Sequence, residues 1–165
     1  MINDKLKKTL YLCVSVLKIN MLMEKKKLPR GIRNNNPLNI ERNATKWQGM
    51  RKVQTDKRFV QFDSMEYGIR AAFRTLNTYY HKHGCKTLRQ FISRWCPQAE
   101  PGNETEMYIH YVANKTGISP DRELLAPSID RVRWIDIVYA MILMECGRPV
   151  SWKHVDSAWR MAFKK

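Results

Sequence analysis

The chain has 165 residues, is 44% hydrophobic and carries a formal charge of +15. That length holds one domain with a real core, and the composition excludes collagen, a coiled coil and wholesale disorder. The charge favours an anionic partner (nucleic acid, an anionic membrane face or an anionic polymer such as a bacterial cell wall) without choosing among them.

Residues 1–27 read as an appendage. Lys5, Lys7 and Lys8 lead into an apolar run from Thr9 to Leu17, which Lys18 interrupts. The run is too short for a membrane span, which needs about 20 apolar residues. It also has no clear signal-peptide cleavage site. A surface amphipathic helix, or a start placed too far upstream, fits it equally.

Residues 28–47 are rich in turn formers: Pro29, Gly31, Asn34, Asn35, Asn36 and Pro37. They predict an irregular loop. Trp47–Val53 and Arg58–Phe62 predict two short strands joined as a hairpin through Thr55, Asp56 and Lys57.

Helices follow. Asp63 or Ser64 caps one that runs to about His81, with Ile69, Phe73, Leu76 and Tyr80 on one face, and Asp63 to Glu66 has the spacing of a capping box. Thr87 to Gln90 is a second capping box, opening a short helix that ends at Trp95 before Cys96-Pro97. Asn103 to Glu106 is a third, starting a helix with Met107, Tyr108, Tyr111 and Val112 on one side and Gly117 at its end. Pro120 to Pro127 is a connection, and Ser151 caps a last helix carrying Val155, Ala158, Trp159 and Phe163. The fold class is therefore mainly α (α+β), with one small β-hairpin, in a single domain over residues 28–165.

The helix before the last is the informative one. At about 100° per residue, Trp134, Ile135, Val138, Met141 and Ile142 form an apolar stripe. Glu145 falls in the middle of that stripe, just before Cys146 and Gly147. A carboxylate on a core-facing stripe is costly unless it is paired or its protonated form is wanted. The competing reading is a helix-end Glu paired with one of the thirty Lys and Arg residues.

Cys13, Cys85, Cys96 and Cys146 form no zinc spacing and read as reduced, packed thiols; a Cys85–Cys96 bridge is the alternative. His81, His83, His110 and His154 share no ligand pattern, so no metal and no cofactor are expected.

The stretch Arg30-Gly31-Ile32-Arg33-Asn34-Asn35-Asn36-Pro37-Leu38-Asn39-Ile40 resembles the opening of a family of bacteriophage and prophage lysozyme-like lysis proteins. These are similar to the lytic virion enzyme of enveloped double-stranded-RNA phages. The resemblance continues through Lys46-Trp47-Gln48-Gly49, Phe59-Val60-Gln61-Phe62, Tyr67-Gly68-Ile69-Arg70-Ala71 and Ile92-Ser93-Arg94-Trp95. It runs on through Glu100, Asn103, Thr105 and Tyr108 to Thr116-Gly117 and ends at Met144-Glu145-Cys146-Gly147. The family pattern has His and Asn where this chain has Met144 and Cys146, and two residues are added around Pro101 and Gly102.

The resemblance implies a lysozyme-like helical domain that cleaves the glycan strand of peptidoglycan, as a lytic transglycosylase or a muramidase. Glu145 would be the general acid/base. Because the hairpin precedes the Glu-bearing helix, the lysozyme order would be circularly permuted. Glu100 matches a family Glu, with pairing to Arg94 or a helix cap as the other reading. Glu66 is a weaker catalytic candidate, since a capping box accounts for it. Asn34, Asn35, Asn36 and Asn39 either bind sugar or build the turn. Trp47, Tyr67 and Trp95 either stack on sugar rings or belong to the core. The expected protein is a monomer made in the bacterial cytoplasm that acts at the cell wall or travels in a virion, with no nucleic-acid partner and no stable membrane span. A non-catalytic virion or wall-binding protein on the same scaffold is the alternative.

Overall fold

The computed structural model describes residues 28–100 and 104–164. Among the described residues six helices follow one another: α1 (Arg30–Arg33), α2 (Met65–His83), α3 (Leu88–Trp95), α4 (Thr105–Thr116), α5 (Arg131–Cys146) and α6 (Trp152–Phe163). The fold is mainly helical. None of these helices is long and apolar enough to cross a membrane. The 1–27 appendage, Cys13 and the Asn103 cap lie outside the described residues.

α5 is the central element. All five residues of its expected stripe are buried, and Ile137 and Ala140 are buried as well, so more than one face of this helix is covered. α4 and α6 pack against it, and α6 also lies along α2. Trp134 is fully buried; its indole N–H donates to the Leu125 carbonyl at 2.8 Å and its ring meets Phe91 edge-on. Trp159 does the same for the Pro127 carbonyl at 2.8 Å. Both large rings thus enter the core with their one polar atom satisfied.

The start and stop signals act locally. Thr87 and Gln90 form the expected reciprocal capping box on α3. Gly84, Gly117 and Gly147 follow α2, α4 and α5 in the left-handed conformation. The box expected from Asp63 to Glu66 does not form. Ser64 is the N-cap of α2, which makes Glu66 the second helical residue, one position short of the box partner. α4 starts at Thr105 behind Glu104, and the Thr105 hydroxyl donates to the Cys96 carbonyl at 2.7 Å. Met107, expected on the buried side of α4, is half exposed.

The expected hairpin is replaced by a side-chain-braced loop. Among the described residues no strand forms, only isolated bridges, of which Glu41 with Phe59 and Met50 with Phe62 fall in this region. The physical reason is competition for backbone partners. Gln54 bonds both the N–H and the carbonyl of Gln61, and the Gln61 amide oxygen accepts from Thr55 and Asp56. Val60 N–H turns the other way, to Ile40.

Asn34 and Asn36 are buried within this loop. Asn36 donates to the carbonyls of Ile40 and Val60 and accepts from Ile40 N–H, all at 2.9 Å. Asp56 receives a bidentate Arg30 and the Asn34 amide. These donors hold its carboxyl far below the usual carboxylate range. Gly68 on α2 lets the loop approach: a Cβ there would sit 1.9 Å from the Asn35 carbonyl oxygen.

Candidate active site

α5 delivers Glu145 from the core to the floor of a cleft of about 410 Å³, lined among others by Asn39, Trp47, Arg58, Trp95, Cys96 and Glu100. Three donors from three different segments hold the carboxylate. Asn39 Nδ2 reaches Oε2 at 2.8 Å, while Trp95 Nε1 and the Tyr108 hydroxyl both reach Oε1 at 3.1 Å. Burial of the group raises its pKa; the three hydrogen bonds pull the other way without cancelling that effect. The result is a half-buried acid that keeps its proton above the ordinary Glu range.

The donors are themselves constrained. Asn39 stands at a positive φ of 51°, a conformation Asn tolerates, and its N–H bonds the Asn36 carbonyl at 3.0 Å. Trp95 is the last residue of α3 and meets Tyr79 edge-on. Tyr108 is buried on α4, where burial and then Glu145 push its phenol well up, so it donates as a neutral hydroxyl. The next residue along, Cys146, is buried and donates from Sγ to the Pro37 carbonyl at 3.1 Å. Burial, then the neighbouring Glu145, pushes this thiol up to about 11. It ties the end of α5 to the loop and is inert.

Of the other expected residues, Trp47, Trp95 and Glu100 line the same cleft as Glu145 and Asn39. Glu100 is exposed on its rim. Burial and the charges of Glu145 and Glu100 both raise the Cys96 thiol, so Cys96 senses both carboxylates. Asn34, Asn35 and Asn36 build the turn: their side chains are spent on Asp56, on the Phe62 and Asp63 carbonyls, and on Ile40 and Val60. Tyr67 packs against Gly49. Glu66 lines no part of the cleft; it pairs with His154 across the α2–α6 contact. Cys85, Cys96 and Cys146 are free, so the alternative Cys85–Cys96 bridge is not formed. No cluster of potential metal ligands occurs among the described residues.

Tyr108 and Arg58 also belong to the site, and sequence reasoning gave them no role there. Tyr108 reads as one more aromatic on a core face, and nothing local reveals that its hydroxyl points at a residue 37 positions away. Arg58 pairs with Glu41 on the cleft wall.

The chain is 38% identical over 138 residues to protein P5 of Pseudoalteromonas phage PM2, an alignment covering 81% of this chain and 82% of that protein. It belongs to the protein P5 family. No protein-family model matches the chain. The P5-family relative is a bacteriophage protein, which agrees with the phage origin that the sequence resemblance implied.

Proposed function

We propose that this P5-family protein cleaves the β-1,4 glycan strand of peptidoglycan, with Glu145 as general acid. The observation that carries the reading is Glu145 itself: an acid whose pKa is raised by burial, fixed by Asn39, Trp95 and Tyr108, at the floor of an open cleft. Raised, positioned carboxyls of this kind protonate a glycosidic oxygen as its bond breaks. Trp47 and Trp95 on the walls suit the apolar faces of sugar rings. The resemblance to lysozyme-like lysis proteins supports the same substrate, and the relative in phage PM2 is consistent with a bacteriophage protein.

After proton transfer, Glu145 is the base for the second half-reaction. Attack by water yields a free reducing end; attack by the muramoyl 6-hydroxyl yields an anhydro-sugar. A second carboxylate for the hydrolytic route would come from Glu100 or Glu41, both on the cleft. The alternative, a wall-binding protein without turnover, draws on the same three donors, since a carboxylate so fully satisfied also braces a fold.

Turbidity loss of isolated peptidoglycan separates these readings. Glu145→Gln should clear it at least about 100-fold more slowly than wild type, the scale of a lost general acid. Equal clearing removes Glu145 from the role, and binding without clearing by the wild type favours the alternative. Mass spectrometry of the products distinguishes reducing from anhydro ends.

A further inference from the structure

A second cavity of about 640 Å³ opens beside the cleft, lined in part by His83, Gln90 and Ser93. Tyr79, Arg94 and Pro97 line both cavities, so the two form one groove with Arg94 on the ridge between them. The guanidinium is held in place there. It lies 5.1 Å from the centroid of the Tyr79 ring, and its Nη2 is 3.2 Å from His83 Nε2. Arg94 is also exposed, and no carboxylate among the described residues is ion-paired with it. Arg58, the other arginine lining the cleft, in contrast pairs with Glu41. A positioned, unpaired guanidinium on the path of a groove is a fork for a carboxylate supplied by something else.

Resting on the glycan-strand reading above, we infer that Arg94 receives a carboxylate on the acidic side arm of the substrate, directing that arm into the second cavity while the sugar backbone lies over Glu145. The site therefore selects strands that carry acidic peptide arms over bare glycan. Tyr79 and His83 are positioning residues: they keep the guanidinium on the ridge, Tyr79 through its ring face and His83 through Nε2.

Calorimetric titration tests this with two soluble glycan oligomers of equal length, one bearing its peptide arms and one with the arms removed enzymatically. Wild type and Arg94→Gln are compared on the Glu145→Gln background, so that nothing is consumed. Loss of Arg94 should weaken the arm-bearing oligomer about tenfold, leave the bare oligomer unchanged, and be partly rescued by Arg94→Lys. The tenfold difference should shrink as salt rises. An equal loss on both oligomers, or no loss on either, overturns the role of Arg94 while leaving the glycan reading intact. Failure of both oligomers to bind the Arg94-containing protein overturns the glycan reading and this inference together. Matched thermal midpoints for the Arg94 variants exclude unfolding as the cause.

Discussion

At the scale of single residues, Glu145 is a balance between burial and donors, and each side of the balance is open to measurement. Burial favours the neutral acid, while Asn39, Trp95 and Tyr108 favour the ion. Replacing Tyr108 by Phe deletes one donor to the ion without altering the shape of the ring. The pKa of Glu145 then rises further, and the alkaline limb of the pH–rate profile moves to higher pH. A limb that stays put, or moves down, shows that another group controls it. Stability carries the same information. The folded state holds the Glu145 proton more tightly than the unfolded chain does, so the stabilisation from protonation is fully present below the ordinary Glu pKa of 4.5 and is lost as pH rises through the folded value. Wild type should therefore lose stability relative to Glu145→Gln across that window, and the two should converge in acid. Denaturant melts of both proteins at a series of pH values would detect this.

At the scale of elements, the decisive contact is between α2 and the loop of residues 34–39. A methyl group on Gly68 would sit 1.9 Å from backbone rather than from a side chain able to move away. Gly68→Ala should cost roughly 3 kcal/mol, the upper end of overpacking penalties. For a chain of this size that is a drop of about 6–12 °C in thermal midpoint, readable by calorimetry. A change below about 2 °C would mean the loop shifts away freely. The helices themselves could be read from the chain, because their signals are local: apolar spacing for α5, a reciprocal cap for α3, a glycine after α4 and α5. The loop could not. Asn36, Gln54 and Gln61 take backbone bonds in this loop with their side chains, and which of two partners wins depends on the folded neighbourhood. The short α1 was lost in the same turn-rich stretch. For the site, the anomaly of an acid on the apolar stripe was enough to find Glu145. Asn39 was one of four equivalent-looking asparagines, and only the folded loop separates it from Asn34, Asn35 and Asn36.

At the scale of the whole molecule, the charge of +15 remains the broadest property. Several cations are engaged within the fold: Arg30 with Asp56, Arg89 with Glu106 and Asp121, and Arg131 and Arg160 with Asp156. The acidic residues are half as many as the basic ones, so half of the positive charge stays uncompensated. Association with an anionic wall should then fall steeply between about 50 mM and about 0.5 M salt, as the screening length shortens from beyond 10 Å to a few Å. Co-sedimentation with isolated peptidoglycan reads this directly. A retention unaffected by salt would assign the attachment to the cleft alone.

The hydrogen bond from Asn39 to Glu145 joins positions 106 residues apart. Its two other donors, Trp95 and Tyr108, also precede Glu145 in the chain. A ribosome that has made Asn39, Trp95 and Tyr108 has yet to supply the acid they hold. Glu145 is thus the last member of this cluster to be synthesised, and its environment closes only when the first and last thirds of the domain meet. Non-local closures of this kind form late in folding. A chain that stops short of Glu145 therefore cannot assemble this cluster.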